Sequence, residues 1–446
     1  LNKILFTSLG CDKNLVDSEM MLGQLQEKGF QFTDDESEAD AVVINTCCFI
    51  KDAKEESIQA ILEMAELKKA GKIKALVVTG CLAQRYFEEV QKEIPEVDAV
   101  LGITDIGAIV EVVEKALTGQ AENHVGSCND MLVYGKKRVV TTGGHFAYLK
   151  IAEGCDKHCT YCIIPKIRGD FRSVPMEVLT AEARELAAAG VQELILVAQE
   201  TTMYGTDLYG KKMLPELLRE LCTIDGLKWI RLLYCYPEEI TEELIQVIRQ
   251  EKKICHYLDM PIQHASDEIL KRMGRHTTEQ ELRDIIAKLR HEIPDICLRT
   301  TLISGFPGET QEDHIRLYQF VNEMEFDRLG VFTYSPEENT PAAEMPGQIP
   351  EETKNARREE LMELQQAIAF EKAESMKGSI LQVMVEGYLP EEDIYAARTY
   401  KDAPNIDGLL FLSSEKELMT GNFVRVRVTD SDEYDLIGEY ENESSE

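Results

Sequence analysis

The sequence predicts a multidomain α/β protein, and three observations point there. Two separate stretches alternate short apolar runs with helical segments, the pattern of parallel sheets covered by helices. Beyond Gly378 the pattern changes to short strands, one of them with a strict two-residue period, which favours a small β-barrel of oligonucleotide-fold type. A chain of 446 residues with 44% hydrophobic and 29% charged side chains is long enough to fill two or three cores. The expected divisions are 1–118 for a parallel α/β amino-terminal domain, 119–144 for a linker, 145–376 for a partial (β/α)6 barrel and 377–446 for the small β-barrel.

In the first division the runs Ile4 to Thr7, Ala41 to Asn45, Ala75 to Thr79 and Ala99 to Leu101 predict strands. Val16 to Lys28, Ala53 to Ala70, Gln84 to Glu93 and Ile106 to Leu117 predict helices, with Gly29 and Gly71 as stop signals. Cys11, Cys47 and Cys81 follow the first three strands. In an open parallel sheet the carboxyl ends of the strands share one edge, where ligands collect, so three thiols distant in sequence are expected to meet. Three unrelated buried cysteines are the plainer reading, but repetition at three consecutive strand ends argues against it. A 4Fe-4S cluster with one open iron is the sharper expectation. Spacing alone does not choose between Cys47 and its neighbour Cys48.

Gly119 to Gly144 is poor in periodic apolar pattern and reads as a linker. After it, strands are expected at Phe146 to Ile151, Glu193 to Ala198, Trp229 to Tyr234, Tyr257 to Met260, Leu298 to Ile303 and Leu329 to Thr333. Helices between them include Pro175 to Ala189, Glu242 to Gln250, Glu279 to His291 and Glu312 to Met324. Six such units predict an incomplete parallel barrel with its active edge at the carboxyl ends of the strands. At the first of those ends, Cys155, Cys159 and Cys162 place three thiols within eight residues, and no fourth cysteine follows nearby. Such a loop can hold three corners of an iron-sulfur cube and leave one iron open for substrate chemistry. A thioredoxin-like pair at Cys159 and Cys162, or a zinc knuckle with His158, are the competing readings. Each lacks its usual context: a helix start in a small domain for the first, a second close ligand pair for the other.

Other strand ends offer cofactor contacts: Gln199 and Glu200 after the second strand, Arg231 on the third, and Gly305, Gly308 and Glu309 after the fifth. The two glycines would let backbone amides approach a ligand closely. Each of these residues could equally cap a helix or brace a loop. Gly205 to Lys212 fits a phosphate-binding loop until its last place, where Lys212 replaces the hydroxyl residue that holds magnesium, so a nucleotide triphosphatase is rejected.

At the carboxyl end, Thr353 to Lys377 predicts a helix, and strands are expected at Ile380 to Val385, Ile394 to Arg398, Gly408 to Leu412 and Phe423 to Val428. The tail from Glu439 is expected to be disordered. Charge bears on partners: 48 basic against 81 acidic residues gives −33, and from Lys377 onward six basic against sixteen acidic residues leaves −10. A barrel so acidic is expected to repel RNA phosphates, and the easiest macromolecular partner of the chain is basic. Twelve cysteines in so long a chain suggest metal work in a reducing compartment rather than a secreted scaffold. No signal peptide or bilayer-crossing run is legible, so no membrane association and a cytoplasmic location are expected.

The spacing Cys155-x-x-x-Cys159-x-x-Cys162, with Tyr161 before the last cysteine, resembles the signature of radical S-adenosylmethionine enzymes. The resemblance implies a 4Fe-4S cluster on these thiols whose fourth iron takes the amino and carboxylate groups of S-adenosyl-L-methionine. One electron then splits the cofactor to methionine and a 5'-deoxyadenosyl radical. It also implies cofactor contacts at Tyr161, Gln199, Glu200, Arg231, Gly305, Gly308 and Glu309, with Gln199 and Glu200 near the amino group and Gly305 to Glu309 on the adenine side. No catalytic residue beyond the clusters is implied.

Ser8 to Glu19, Asn45-Thr-Cys47 and Thr79-Gly-Cys81-Leu-Ala-Gln-Arg85 resemble the three cysteine motifs of the methylthiotransferases, and the likeness runs over essentially the whole chain. That resemblance implies a second 4Fe-4S cluster on Cys11, Cys47 and Cys81, whose sulfur receives a methyl group. It makes Cys48, where the family usually has a small residue, a spare thiol. The carboxyl-terminal segment resembles a TRAM domain. Arg231 to Tyr234, Tyr257 to His264, Gly330 to Pro336 and Arg398 to Gly408 resemble the ribosomal-protein-modifying branch. Members of that branch act on the β carbon of an aspartate of ribosomal protein uS12, free or in the small ribosomal subunit, with electrons from a donor such as flavodoxin or ferredoxin. A tRNA adenosine C2 methylthiotransferase is the alternative, since it would keep all six cysteines. A non-enzymatic iron-sulfur sensor or assembly scaffold is the third reading, although it has no evident use for six strand-helix units.

Overall fold

The computed structural model describes residues 2–441. Its first sheet is fully parallel, with β1 (Lys3–Ser8), β2 (Gln31–Phe32), β3 (Ala41–Thr46), β4 (Ala75–Gly80) and β5 (Ala99–Leu101) in the order β2-β1-β3-β4-β5. Every residue of β3 and β4 is buried, as their unbroken apolar character requires of strands covered on both faces. Ser8 lies opposite Asn45 and Thr46 opposite Gly80, so three carboxyl ends finish level. β2 was not expected, because two residues carry no period. Helix α1 (Asp12–Lys28) begins four residues before its expected start. Its first turn is polar and hid the apolar signal, while Asp12 there complements the helix dipole. The expected Gln84 to Glu93 helix is two short ones, Cys81–Arg85 and Phe87–Glu93.

All six expected strands of the second series form: β6 (Phe146–Lys150), β7 (Glu193–Val197), β8 (Trp229–Leu232), β9 (Ile254–Asp259), β10 (Cys297–Ser304) and β11 (Arg328–Thr333). They pair in parallel in sequence order as an open half-barrel. Alternation along the strands divides two environments. Leu149, Leu196, Leu232, Leu258 and Leu298 belong to the core with the surrounding helices, each worth roughly 1.5–3 kcal/mol in apolar burial. The opposite, concave face carries Glu193, Arg231, Asp259, Arg299 and Arg328, and these charges pair with one another and with the carboxyl-terminal barrel.

Residues 118–145 hold no helix and only an isolated bridge between Leu101 and His124. The segment is nevertheless a strap rather than a loose tether. Arg138 pairs with Glu19 of α1 at 2.5 Å and with Glu182 of the barrel, and the Val139 N–H donates to the Glu19 carbonyl at 3.1 Å. A long helix, Glu351–Ser375, leads to a closed five-stranded barrel of β12 (Ile380–Leu389), β13 (Ile394–Thr399), β14 (Leu410–Ser413), β15 (Phe423–Asp432) and β16 (Asp435–Tyr440). The fifth strand corrects the expectation of disorder from Glu439: Glu439 pairs with Ser413 and Arg427. The rest of that tail, 442–446, lies outside the described residues.

This barrel docks on the amino ends of the half-barrel strands. Trp229 meets Phe423 edge to face at 4.8 Å, Arg398 pairs with Glu193 at 2.6 Å, and Arg328 pairs with Asp402 at 2.5 Å. The carboxyl ends face the first sheet, where Lys150 reaches Asp17 of α1 and Arg85 pairs with Glu337 at 2.7 Å. No helix among the described residues is long and apolar enough to cross a membrane.

Candidate active site

Cys11, Cys47 and Cys81 stand at the aligned ends of β1, β3 and β4. Gly10 makes the approach possible. At its φ of +94°, an added Cβ would lie 2.7 Å from Cys47 Cβ and 2.9 Å from its sulfur. Ser57 pins Cys47 from both sides, accepting from its N–H and donating to its carbonyl, each at 2.9 Å. Asn14 spans the set: its Nδ2 donates to the Leu9 and Thr46 carbonyls, and its Oδ1 faces the Cys81 sulfur at 3.6 Å. Cys48 is fully buried beside Arg85, with its thiol pushed up to about 12 by burial. Cys47 is the one whose sulfur lies against Gly10, next to Cys11.

The second set lies in the loop after β6. The Cys155 N–H donates to the Gly169 carbonyl at 3.1 Å, and the Cys162 N–H to that of Cys159 at 3.0 Å. Tyr236 places its hydroxyl 3.3 Å from the Cys159 sulfur, and Arg275 stacks over the Tyr236 ring at 4.1 Å. Burial pushes the Cys155 and Cys162 thiols up to about 12. Iron requires thiolate, so loading the site must expel protons.

One residue joins the two sets. Arg168, 2% exposed, ends the short helix α2 (Ile164–Arg168) that follows Cys162, and its Nε donates to the Cys81 sulfur at 3.3 Å. Its other nitrogens reach Asn14, Asp17 at 2.9 Å and Glu153 at 3.1 Å. Burial opposes the charged form of Glu153, yet Arg168 and Lys150 hold its carboxyl down to about 2. The guanidinium is thus a common wall between an amino-terminal thiol and the start of the loop set. Nothing in the spacing flagged it, although a cation six residues past the third cysteine is conspicuous in so acidic a chain.

The expected cofactor contacts divide. Glu200 is 1% exposed, its Oε2 has no hydrogen-bond partner, and burial pushes its carboxyl up to about 7. An orphaned carboxylate oxygen that deep fits an incoming ammonium group. Tyr161 sits inside the loop set and packs edge to face on Phe306 at 6.5 Å. Gln199 is a brace, accepting from the Gly154 N–H at 2.9 Å and donating to Glu153 at 2.6 Å. Gly305, Gly308 and Glu309 form a self-bonded loop after β10. The Gly305 N–H donates to Glu309 at 2.8 Å, Glu309 pairs with Arg357 at 2.8 Å, and the Gly308 N–H donates to the Gly347 carbonyl at 2.8 Å. These bonds hold the loop in shape, and Phe306 within it is buried against Tyr161 and Tyr334. Arg231 is wholly buried on the concave face, bound to Glu193 at 2.7 Å and to the Tyr400 carbonyl at 2.6 Å. It ties the half-barrel to the carboxyl-terminal barrel, because its side chain points toward the amino ends of the strands.

The donor sets fit iron-sulfur cubes better than single ions. Among the described residues no three His, Cys, Asp or Glu side chains converge on the volume of one metal ion, whereas sulfurs on a cube bind different irons and stand farther apart. The decoy loop holds no anion cradle either, since Lys212 pairs with Glu239 at 2.6 Å. Phe332, next to Ile303 across the sheet and on the face shared with Arg328, is 56% exposed. That bare ring suits an apolar part of a ligand lying in the concavity.

Three family models match consecutive parts of the chain: Uncharacterized protein family UPF0004 over residues 3–102, the Radical SAM superfamily over 149–321 and the TRAM domain over 378–440. Among solved structures, the radical S-adenosylmethionine methyltransferase TsrM from Kitasatospora setae has a similar fold, with a TM-score of 0.56, 15% identity and coverage of 86% of this chain and 78% of that one. A half-barrel with a thiol loop after its first strand, joined to a sheet with thiols at three strand ends, defines a radical S-adenosylmethionine methylthiotransferase. Ribosomal protein uS12 methylthiotransferase RimO of Lachnoclostridium phytofermentans is 65% identical over 436 residues, 98% of this chain and 99% of its own. Its counterpart in Geobacter sulfurreducens is 50% identical over 439 residues, 98% of each chain. The chain belongs to the RimO family.

Proposed function

We propose that the protein adds a methylthio group to the β carbon of an aspartate in ribosomal protein uS12, with one 4Fe-4S cluster on Cys11, Cys47 and Cys81 and another on Cys155, Cys159 and Cys162. The observation that carries the two-centre reading is Arg168, which touches Cys81 from the helix that follows Cys162. When bound, the clusters and S-adenosyl-L-methionine supply hydrogen abstraction from carbon and delivery of the methylthio group. The chain supplies placement. Arg168 and Asn14 fix the first thiol set against the second, Glu200 offers its free oxygen to the cofactor's ammonium, and Tyr236 and Tyr161 bracket Cys159. Residues 1–118, 145–376 and 377–446 act as the three working units, with the strap between the first two keeping their thiols opposed.

The acidic carboxyl-terminal unit, at −10, favours a basic protein over RNA, and the docked face of that barrel is occupied by the half-barrel. A soluble electron donor such as flavodoxin or ferredoxin and a cytoplasmic setting complete the reading. Reconstituted enzyme with reductant and S-adenosyl-L-methionine is expected to produce a methylthio mass gain on uS12 and none on unmodified tRNA. A gain on tRNA alone overturns the substrate while sparing the chemistry.

A further inference from the structure

Several charged groups line the seam between α1 and the carboxyl ends of the half-barrel, and most are saturated. Arg168 binds Cys81, Asn14, Asp17 and Glu153; Lys150 lies between Asp17 and Glu153. Lys13 differs. It stands two residues after Cys11, is 6% exposed, and pairs with one carboxylate among the described residues, Asp12 at 2.7 Å. Its ammonium lies 3.4 Å from the centre of the Tyr234 ring, just past the end of β8. Tyr234 holds that ring there from a left-handed backbone, φ +59°, anchored by its N–H on Asp259 at 3.0 Å. A non-glycine residue kept in that conformation at a strand end marks a place where the fold sustains strain to aim a side chain. Cys11 beside it is exposed, so the seam is open at this point.

We propose that Lys13 recognises the acid side chain of the target, a specificity role that rests on the aspartate reading above. A β carbon carries its carboxylate directly. Holding that carboxylate on a fixed cation therefore fixes the reacting carbon on the Cys11 side of the chamber. The aromatic ring serves as a low-polarity platform that keeps the ammonium in place while leaving donors free for a second carboxylate. An amide side chain of the same shape offers no charge and is disfavoured. Asp12 competes with the target for the same cation.

The test uses cluster-loaded full-length enzyme, with uS12 and with uS12 whose modified aspartate is replaced by asparagine. Binding affinity and iron content are measured for the natural enzyme, Lys13→Met, Lys13→Arg and Asp12→Asn. The natural enzyme is expected to prefer the aspartate form by roughly tenfold or more, as one charge-assisted contact implies. Lys13→Met should erase that preference with iron content unchanged, and Lys13→Arg should restore part of it. Asp12→Asn should tighten the aspartate form, an arm that stands even if Lys13→Met loses iron. A preference that survives in Lys13→Met, or a weaker aspartate form in Asp12→Asn, overturns the role of Lys13. If the natural enzyme binds neither form, the uS12 reading itself falls and this role falls with it.

Discussion

The two thiol sets are built in opposite ways. Cys155, Cys159 and Cys162 lie within one eight-residue loop, so their proximity is written into local chain geometry. Cys11, Cys47 and Cys81 come together only after three strands align and Gly10 lets Cys47 close in. The first arrangement survives modest damage elsewhere, whereas the second depends on a whole sheet. Arg168 couples them, so the local loop also carries a prop for the distributed set.

Variants can break or sharpen that contrast. The largest effect is expected from Cys159→Ala, which removes a local ligand and should lower 5'-deoxyadenosine formation by at least about a thousandfold, as for other parts that act as a unit. Cys81→Ala should instead spare the loop set, with anaerobically reconstituted iron falling from about eight to about four per chain. Retention of the full iron content would end the two-centre assignment. Arg168→Met should strip the cation from Asp17 and Glu153 and cost about 3–5 kcal/mol in urea unfolding, the usual range for an orphaned buried partner.

Glu200 gives a pH signature in cluster-free protein. Its folded value of about 7 lies above the ordinary 4.5, so the folded state keeps the proton longer than the unfolded one. Stability should be greatest below about pH 4.5, decline as pH rises toward about 7 and level off above that, by at most ~3 kcal/mol. Glu200→Gln should flatten the decline in urea titrations at pH 5 and pH 8. The smallest effect belongs to Cys48→Ala, with unchanged iron and a stability loss of about 1 kcal/mol for a small buried group. A drop in iron there would show that the neighbouring thiol had been misassigned.

Much of this was legible because the chemistry lies where periodic patterns end. Apolar runs gave all ten strands of the two parallel sheets other than β2; the missing information was mostly about side-chain commitments. Gly305, Gly308 and Glu309 have the residue types of a ligand loop, and only coordinates reveal that each polar group is already taken. The contacts of Arg231 were hidden for a related reason. Its position near a strand end said nothing about which way along the concave face its long side chain would reach, and the partner that claims it, Tyr400, is 169 residues away. The strap around Arg138 was equally hidden, since its contacts with Glu19 and Glu182 follow no period.

The docking of the acidic β-barrel on the amino ends of the strands has a consequence for traffic. With that floor shut and the first sheet lying over the opposite mouth, both ends of the half-barrel are taken, while Phe332 on β11 stays exposed to solvent.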